Sequence, residues 1–325
     1  MVKGRLKMTS NFNKLLMAIQ YNLPLTETPL LDLAEGIGYE YEYVLNSVSK
    51  LKNEGVIKRY GANLNYKAFG DVKKAALVGF KVEELRVEEV ARKINRIDLL
   101  NLKHNFLREH EDYNVWFTIK AESVEKIREI VDDIANDCEV NDYVILPTKR
   151  VWKMDVKYDL IKGISWSEKG IEPEDIPTVD KLGLDANIVR RLESLEVSEK
   201  PFKIFEGFGF KQGEIVELIE ELIRKGVVRD FSGVLRESKI GFRENGMTLL
   251  KINSNKVVFK LIKNFPQITH LVERIPHPKW NYPIYFMIHA KNKKPIERIK
   301  EKVKNYKEVE DAITIYSKKN LRESI

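Results

Sequence analysis

The chain has 325 residues, 43% hydrophobic and 32% charged, a balance that suits a folded globular protein and argues against a disordered one. A single cysteine, Cys138, excludes a disulfide framework within the chain and any multi-cysteine metal centre. The net charge of +7 favours an anionic partner, and a polycarboxylate ligand would exploit that charge as well as a nucleic acid would.

The length points to about two to four units, each with its own core. No run of about 18 uncharged apolar residues occurs, and the opening MVKGRLKMTSNF has no apolar signal-peptide core, so a cytoplasmic protein without membrane attachment is expected. Phe12, Leu15, Leu16 and Ile19 recur at helical spacing. Leu30 to Ala34, the turn Gly36-Ile37-Gly38, and a helix through Val44, Leu45, Val48 and Leu51 then make a helix-turn-helix pattern. After it come a strand at 74–82, a helix at 87–97, strands at 100–109 and 113–121, a helix at 123–136 and a strand at 138–147. That βαββαβ order is ferredoxin-like. The stretch GISWSEKGIEPEDIPTVDKLG, from Gly163 to Gly183, reads as the link between halves.

The same order returns. Residues 202–225 repeat the helix-turn-helix pattern, ending in the helical run Ile215, Leu218, Ile219, Leu222 and Ile223. Strands at 245–252, 267–274, 283–290 and 308–316 and helices at 254–264 and 294–303 follow. Ala34-Glu35-Gly36-Ile37-Gly38 matches Phe205-Glu206-Gly207-Phe208-Gly209, and Gly55-Val56-Ile57 matches Gly226-Val227-Val228 at the same offset. His104 and Arg108 are spaced like His270 and Arg274, and YNVWFTIKA from Tyr113 parallels YPIYFMIHA from Tyr282. The chain is therefore an α+β tandem repeat, each unit a winged helix-turn-helix followed by a ferredoxin-like βαββαβ domain. The expected domains are 1–60 and 163–230 for the helix-turn-helix parts, and 61–162 and 231–325 for the ferredoxin-like parts.

A helix-turn-helix joined to a ferredoxin-like domain through Gly-Val-Ile-x-x-Tyr-Gly-Ala-x-Leu-Asn, as at Gly55 to Asn65, resembles the Lrp/AsnC family over both halves. Two second-half segments, FSGVLRESKIGFRENGM and ITHLVERIPHPKWNYPIYFMIHA, resemble the siroheme decarboxylase branch in its fused two-repeat form. Val234, Leu235, Arg236, Gly241, Phe242, Asn245 and Met247 carry the first likeness. His270, Arg274, Trp280, Tyr282, Tyr285, Met287 and His289 carry the second. The resemblance implies removal of acetate carboxyl groups from siroheme to give 12,18-didecarboxysiroheme in heme or heme d1 biosynthesis. It implies no cofactor beyond the iron of the siroheme substrate. The first half has Lys120 where the second has His289, and Asn65 where it has Arg236, so the second half is expected to hold the active site.

These residues suit that chemistry. Loss of CO2 from a ring acetate needs a proton delivered to carbon, and histidine, which titrates near neutrality, can supply it. His270 and His289 are the catalytic candidates; either can be the acid and either can ligate the substrate iron. Arg236 and Arg274 can grip carboxylates bidentately. Trp280, Tyr282 and Tyr285 offer apolar area to the ring face, and Asn245 completes the expected substrate-binding set. All five histidines fall in two equivalent hairpins, 104–110 and 270–289, without the spacing of a protein metal site. The competing reading is a DNA-binding regulator of the Lrp/AsnC type, or a tetrapyrrole sensor without turnover. The candidate recognition helices, Tyr39 to Glu54 and Phe210 to Lys225, each carry one more acidic than basic residue, so only weak DNA binding is expected. A homo-oligomer is compatible with the scaffold.

Overall fold

A computed structural model describes residues 10–70, 73–98 and 101–322. In chain order its elements are α1 (Ser10–Tyr21), α2 (Pro29–Ile37), α3 (Tyr41–Asn53), β1 (Ile57–Leu64), β2 (Lys74–Phe80), α4 (Val87–Ile94), β3 (Leu102–Arg108), β4 (Val115–Ala121), α5 (Val124–Asp137), β5 (Tyr143–Met154), β6 (Tyr158–Asp159) and β7 (Ile164–Ser165). There follow α6 (Ala186–Arg191), α7 (Gln212–Arg224), β8 (Val228–Leu235), β9 (Glu244–Ile252), α8 (Lys256–Asn264), β10 (His270–Arg274), β11 (Ile284–Ala290), α9 (Lys294–Lys304) and β12 (Val309–Asn320). The expected strand over 100–109 begins at a residue outside the described ones.

The elements gather into two compact units that cut across the repeat: the described residues of 1–71, 157–163 and 173–241, and those of 72–156, 164–172 and 242–325. In the first unit, α1 buries Leu15, Leu16 and Ile19 fully. Pro29 opens α2, where its missing N–H costs nothing, and Gly38 closes it at φ 71°. The matching second-half segment, Pro201–Phe208, is a 3₁₀ helix instead. It is one residue shorter between its Pro and its closing Gly, and richer in aromatic side chains, so it winds more tightly over the same span. Strand β1 pairs antiparallel with β8, from Ile57 opposite Leu235 to Leu64 opposite Val228. Each strand follows its helix-turn-helix without a local hairpin partner, so the two halves satisfy each other's backbone groups in one shared ribbon. The expected boundaries at residues 60 and 230 fall inside this ribbon.

The second unit holds both βαββαβ repeats. Within each, strands order as fourth, first, third, second: β5-β2-β4-β3 and β12-β9-β11-β10. The repeats join through β10–β5 and β3–β12, and β10 also pairs with β11, so eight antiparallel strands close into a ring. Alternate strand residues pack outward under the helices, as Val78, Phe117 and Ile119 do with Val90 and Val131 in one repeat. Leu250, Phe286 and Ile288 do so with Leu261 and Ile299 in the other. The remaining set, including Leu77, Trp116, Leu146, Met247, Leu249, Tyr285 and Ile315, packs inside the ring. Gly79 gives Trp116 its place there, because a Cβ at Gly79 would lie 2.8 Å from the indole.

Two strands outrun their sequence pattern. β5 and β12 continue past residues 147 and 316, where each leaves its own sheet to pair with the other repeat: Thr148 to Met154 with β10, and Ser317 to Asn320 with β3. Apolar alternation is a local signal and carries no information about a partner strand more than 100 residues away.

Candidate active site

Along β10 and β11 the register sets His270 opposite Met287. His289, two residues beyond Met287, therefore faces the same side. The two imidazole rings lie 6.4 Å apart at 55°. Thr269 Oγ1 is 3.1 Å from His270 Nδ1 and donates to Met287 O at 3.3 Å. His289 is 5% exposed, and its backbone N–H donates to Ser165 Oγ at 3.0 Å. That serine sits on the short strand β7, which pairs with the end of β11 at Ala290. Ser165 Oγ in turn donates to Gln267 O at 2.7 Å, tying the strap to the segment that leads into β10.

The next strand adds Asn245, directly opposite His289. Its partner is an arginine, but not the expected one. Arg108 of β3 sends Nη1 to Asn245 O at 3.4 Å and to Ile315 O at 3.2 Å, and Nη2 to Asn245 Oδ1 at 3.5 Å. Ser317, opposite Arg108, lies between. A polar row thus crosses the inner face: His270, His289, Asn245, Ser317, Arg108. Arg108 is 5% exposed, and burial pulls its guanidinium down to about 10, so it stays charged near neutrality. Among the described residues it meets backbone and amide oxygens but no carboxylate. A buried cation without an acid is costly unless an anion joins it.

Arg274 lies elsewhere. It is four residues along β10 from His270, ~13 Å at the rise of a strand. There Nη1 donates to Leu146 O at 3.2 Å and Thr148 Oγ1 at 3.1 Å, with the guanidinium carbon 5.4 Å from the Tyr285 ring centre. Trp280 and Tyr285 are buried in the apolar interior, joined by an indole N–H to phenol bond of 2.8 Å. The Trp280 ring also packs 5.4 Å from each of Tyr113, Trp116 and Tyr282. Tyr282 donates to Asp311 at 2.7 Å, which raises its phenol to about 12 behind the larger effect of burial. The aromatic candidates are thus committed to packing at the Arg274 end. Arg236 belongs to the other unit, where Nε donates to Gly55 O at 3.2 Å.

Sequence reasoning missed Arg108 and Ser317. The signal was present in the shared His-x-x-x-Arg spacing of the repeats, but spacing does not say that strand β3 closes the second repeat's sheet. Among the described residues no group of three or more His, Cys, Asp or Glu side chains could hold a metal ion, and no helix is long and apolar enough to cross a membrane.

Comparison with known proteins bears on this geometry. The model of the AsnC-like ligand binding domain matches residues 72–153 and 239–322, and that of the siroheme decarboxylase NirDL-like HTH domain matches 13–58. The siroheme decarboxylase of Hydrogenobacter thermophilus is 26% identical over 97% of this chain and 94% of its own. The siroheme decarboxylase alpha subunit of Desulfovibrio desulfuricans is 32% identical over 46% of this chain and 84% of its own. This chain belongs to the siroheme decarboxylase family. As in the family's fused members, the repeats run in one polypeptide. A crystal structure of the siroheme decarboxylase NirDL, in co-complex with an iron-uroporphyrin III analogue, shares the fold at TM-score 0.62 and 23% identity over 96% of this chain and 92% of that one.

Proposed function

We propose that this protein is a siroheme decarboxylase that removes acetate carboxyl groups from siroheme to give 12,18-didecarboxysiroheme, on the route to heme or heme d1. The observation that carries the reading is the row in which two histidines stand beside an amide and a buried, acid-free guanidinium. Arg108 supplies the charge that a substrate carboxylate would neutralise, and Asn245 orients it. Breaking the bond from the acetate methylene to its carboxylate releases CO2 and leaves an electron pair on that carbon, which the macrocycle delocalises. A proton from an imidazolium then makes the methyl group. In its charged form His270 holds Nδ1–H toward Thr269 Oγ1, which leaves Nε2–H as the proton to give. His289, buried at the end of β11, is the second donor or an axial ligand to the substrate iron. The reaction so written needs no cofactor beyond that iron.

Anaerobic incubation with siroheme, followed by product mass, tests this: stepwise loss of CO2 is expected. Siroheme that is bound and returned unchanged would overturn the reading in favour of a sensor. On DNA, the segments Tyr39–Glu54 and Phe210–Lys225 around α3 and α7 each carry one more acidic than basic residue, so a mobility-shift assay at moderate salt should show weak, sequence-indifferent binding.

A further inference from the structure

The ring carries a second polar row, related to the first by the internal repeat. Arg274 of β10 crosses to the first repeat's sheet as Arg108 of β3 crosses to the second's, and the carbonyls they bind, Leu146 and Ile315, occupy matching places on β5 and β12. Thr148 stands opposite Arg274 where Ser317 stands opposite Arg108. Lys120 stands opposite Ala75 where His289 stands opposite Asn245. His104, next along on β3 opposite Thr118, takes the place of His270 opposite Met287.

We propose that this first-repeat row, Arg274, Thr148, Lys120 and His104, is a second carboxylate-binding site that holds a tetrapyrrole without decarboxylating it. The proposal rests on the reading that the protein binds a carboxylated tetrapyrrole. Three observations converge on it. The Arg274 guanidinium donates to a carbonyl and a hydroxyl and lies over the Tyr285 ring, its buried Nε meets no acceptor, and no ion pair to a carboxylate is formed among the described residues. A desolvated guanidinium left so is a standing demand for an anion. Lys120 adds a second cation at the position where the other row has its buried histidine. An ammonium keeps its proton far above neutrality, so it grips a carboxylate but is a poor acid for carbon near pH 7. The row is also more accessible, with His104 exposed and Lys120 half-buried, whereas His289 is closed over.

The test is the stoichiometry of a polycarboxylate iron porphyrin, iron uroporphyrin III, titrated against the full chain and read by absorbance and native mass spectrometry. Two macrocycles per chain are expected. Lys120→Ala should weaken the second by at least about tenfold, the scale of one charge-assisted contact, and leave the first in place. Arg274→Gln should do the same as Lys120→Ala; because Arg274 is partly structural, the half-exposed Lys120 decides the matter if the arginine variant unfolds. One macrocycle per chain, lost in Arg108→Gln, overturns this proposal and leaves the decarboxylase reading standing. Two macrocycles that ignore Lys120→Ala overturn it as well. No binding at all removes the reading beneath it.

Discussion

The two polar rows of the ring are built to one plan and differ in what they do with a proton. Both end in an arginine that crosses from the opposite repeat to lie on a strand carbonyl, Arg108 buried and Arg274 half-buried. One row sets a pair of imidazoles beside it; the other sets Lys120 beside an exposed His104. Duplication of a site lets the anion-gripping part be kept twice while the acid is kept once, because a carboxylate can be bound by any well-placed cation but protonation of carbon needs a group that titrates near working pH.

The comparison breaks most sharply at the histidines. His289→Ala should lower decarboxylation by about 100- to 10,000-fold, the usual contribution of a general acid, with siroheme affinity far less changed. If His289 is an axial ligand instead, the absorption spectrum and affinity will move together with turnover. Lys120→Ala should leave the initial rate near that of the parent; equal losses in the two variants would show that both rows perform chemistry.

Next in size is the exchange of arginines between repeats. Arg108→Gln removes the charge beside Asn245 and should raise the KM for siroheme by roughly 10- to 150-fold, corresponding to about 1.5–3 kcal/mol for a charged hydrogen bond. Arg274→Gln should raise it much less. The reverse order, read from steady-state rates at matched folding by circular dichroism, would return the active site to the grouping that chain order suggests.

The interior offers a structural version of the same contrast. Gly79 faces Trp116 in one repeat where Leu249 faces Tyr285 in the other, a small-large exchange that keeps the volume between the sheets. Gly79→Ala should cost about 1–3 kcal/mol by overpacking and lower Tm by several degrees in a thermal melt, since its Cβ would press on the indole at 2.8 Å.

The smallest effect lies where the strands cross over. Lys153, at the end of β5, is fully buried with its ammonium on Ser167 O at 2.7 Å, and burial lowers it to about 8 despite the opposing pull of Asp155. The unfolded chain therefore holds this proton to higher pH than the folded one, so stability should rise between about pH 8 and pH 10.5. The slope is at most about 1.4 kcal/mol per pH unit. Lys153→Met should flatten that rise in denaturant titrations.

Repetition, helix-turn-helix spacing and two βαββαβ patterns were legible in the residues, since each rests on local periodicity and on glycine punctuation such as Gly38, although α2 runs on through Gly36 and Ile37 where a turn was expected. The pairing of His270 with His289 was legible too, as neighbours across one hairpin. Three things were decided only by tertiary structure: the β1–β8 ribbon, the extensions of β5 and β12, and the placement of Arg108 rather than Arg274 beside Asn245. All three depend on which strand from the far half closes each sheet edge. A backbone's need for a partner is written into every strand, but the identity of that partner is set by closure of the whole ring, when the last unpaired edges of one repeat meet those of the other.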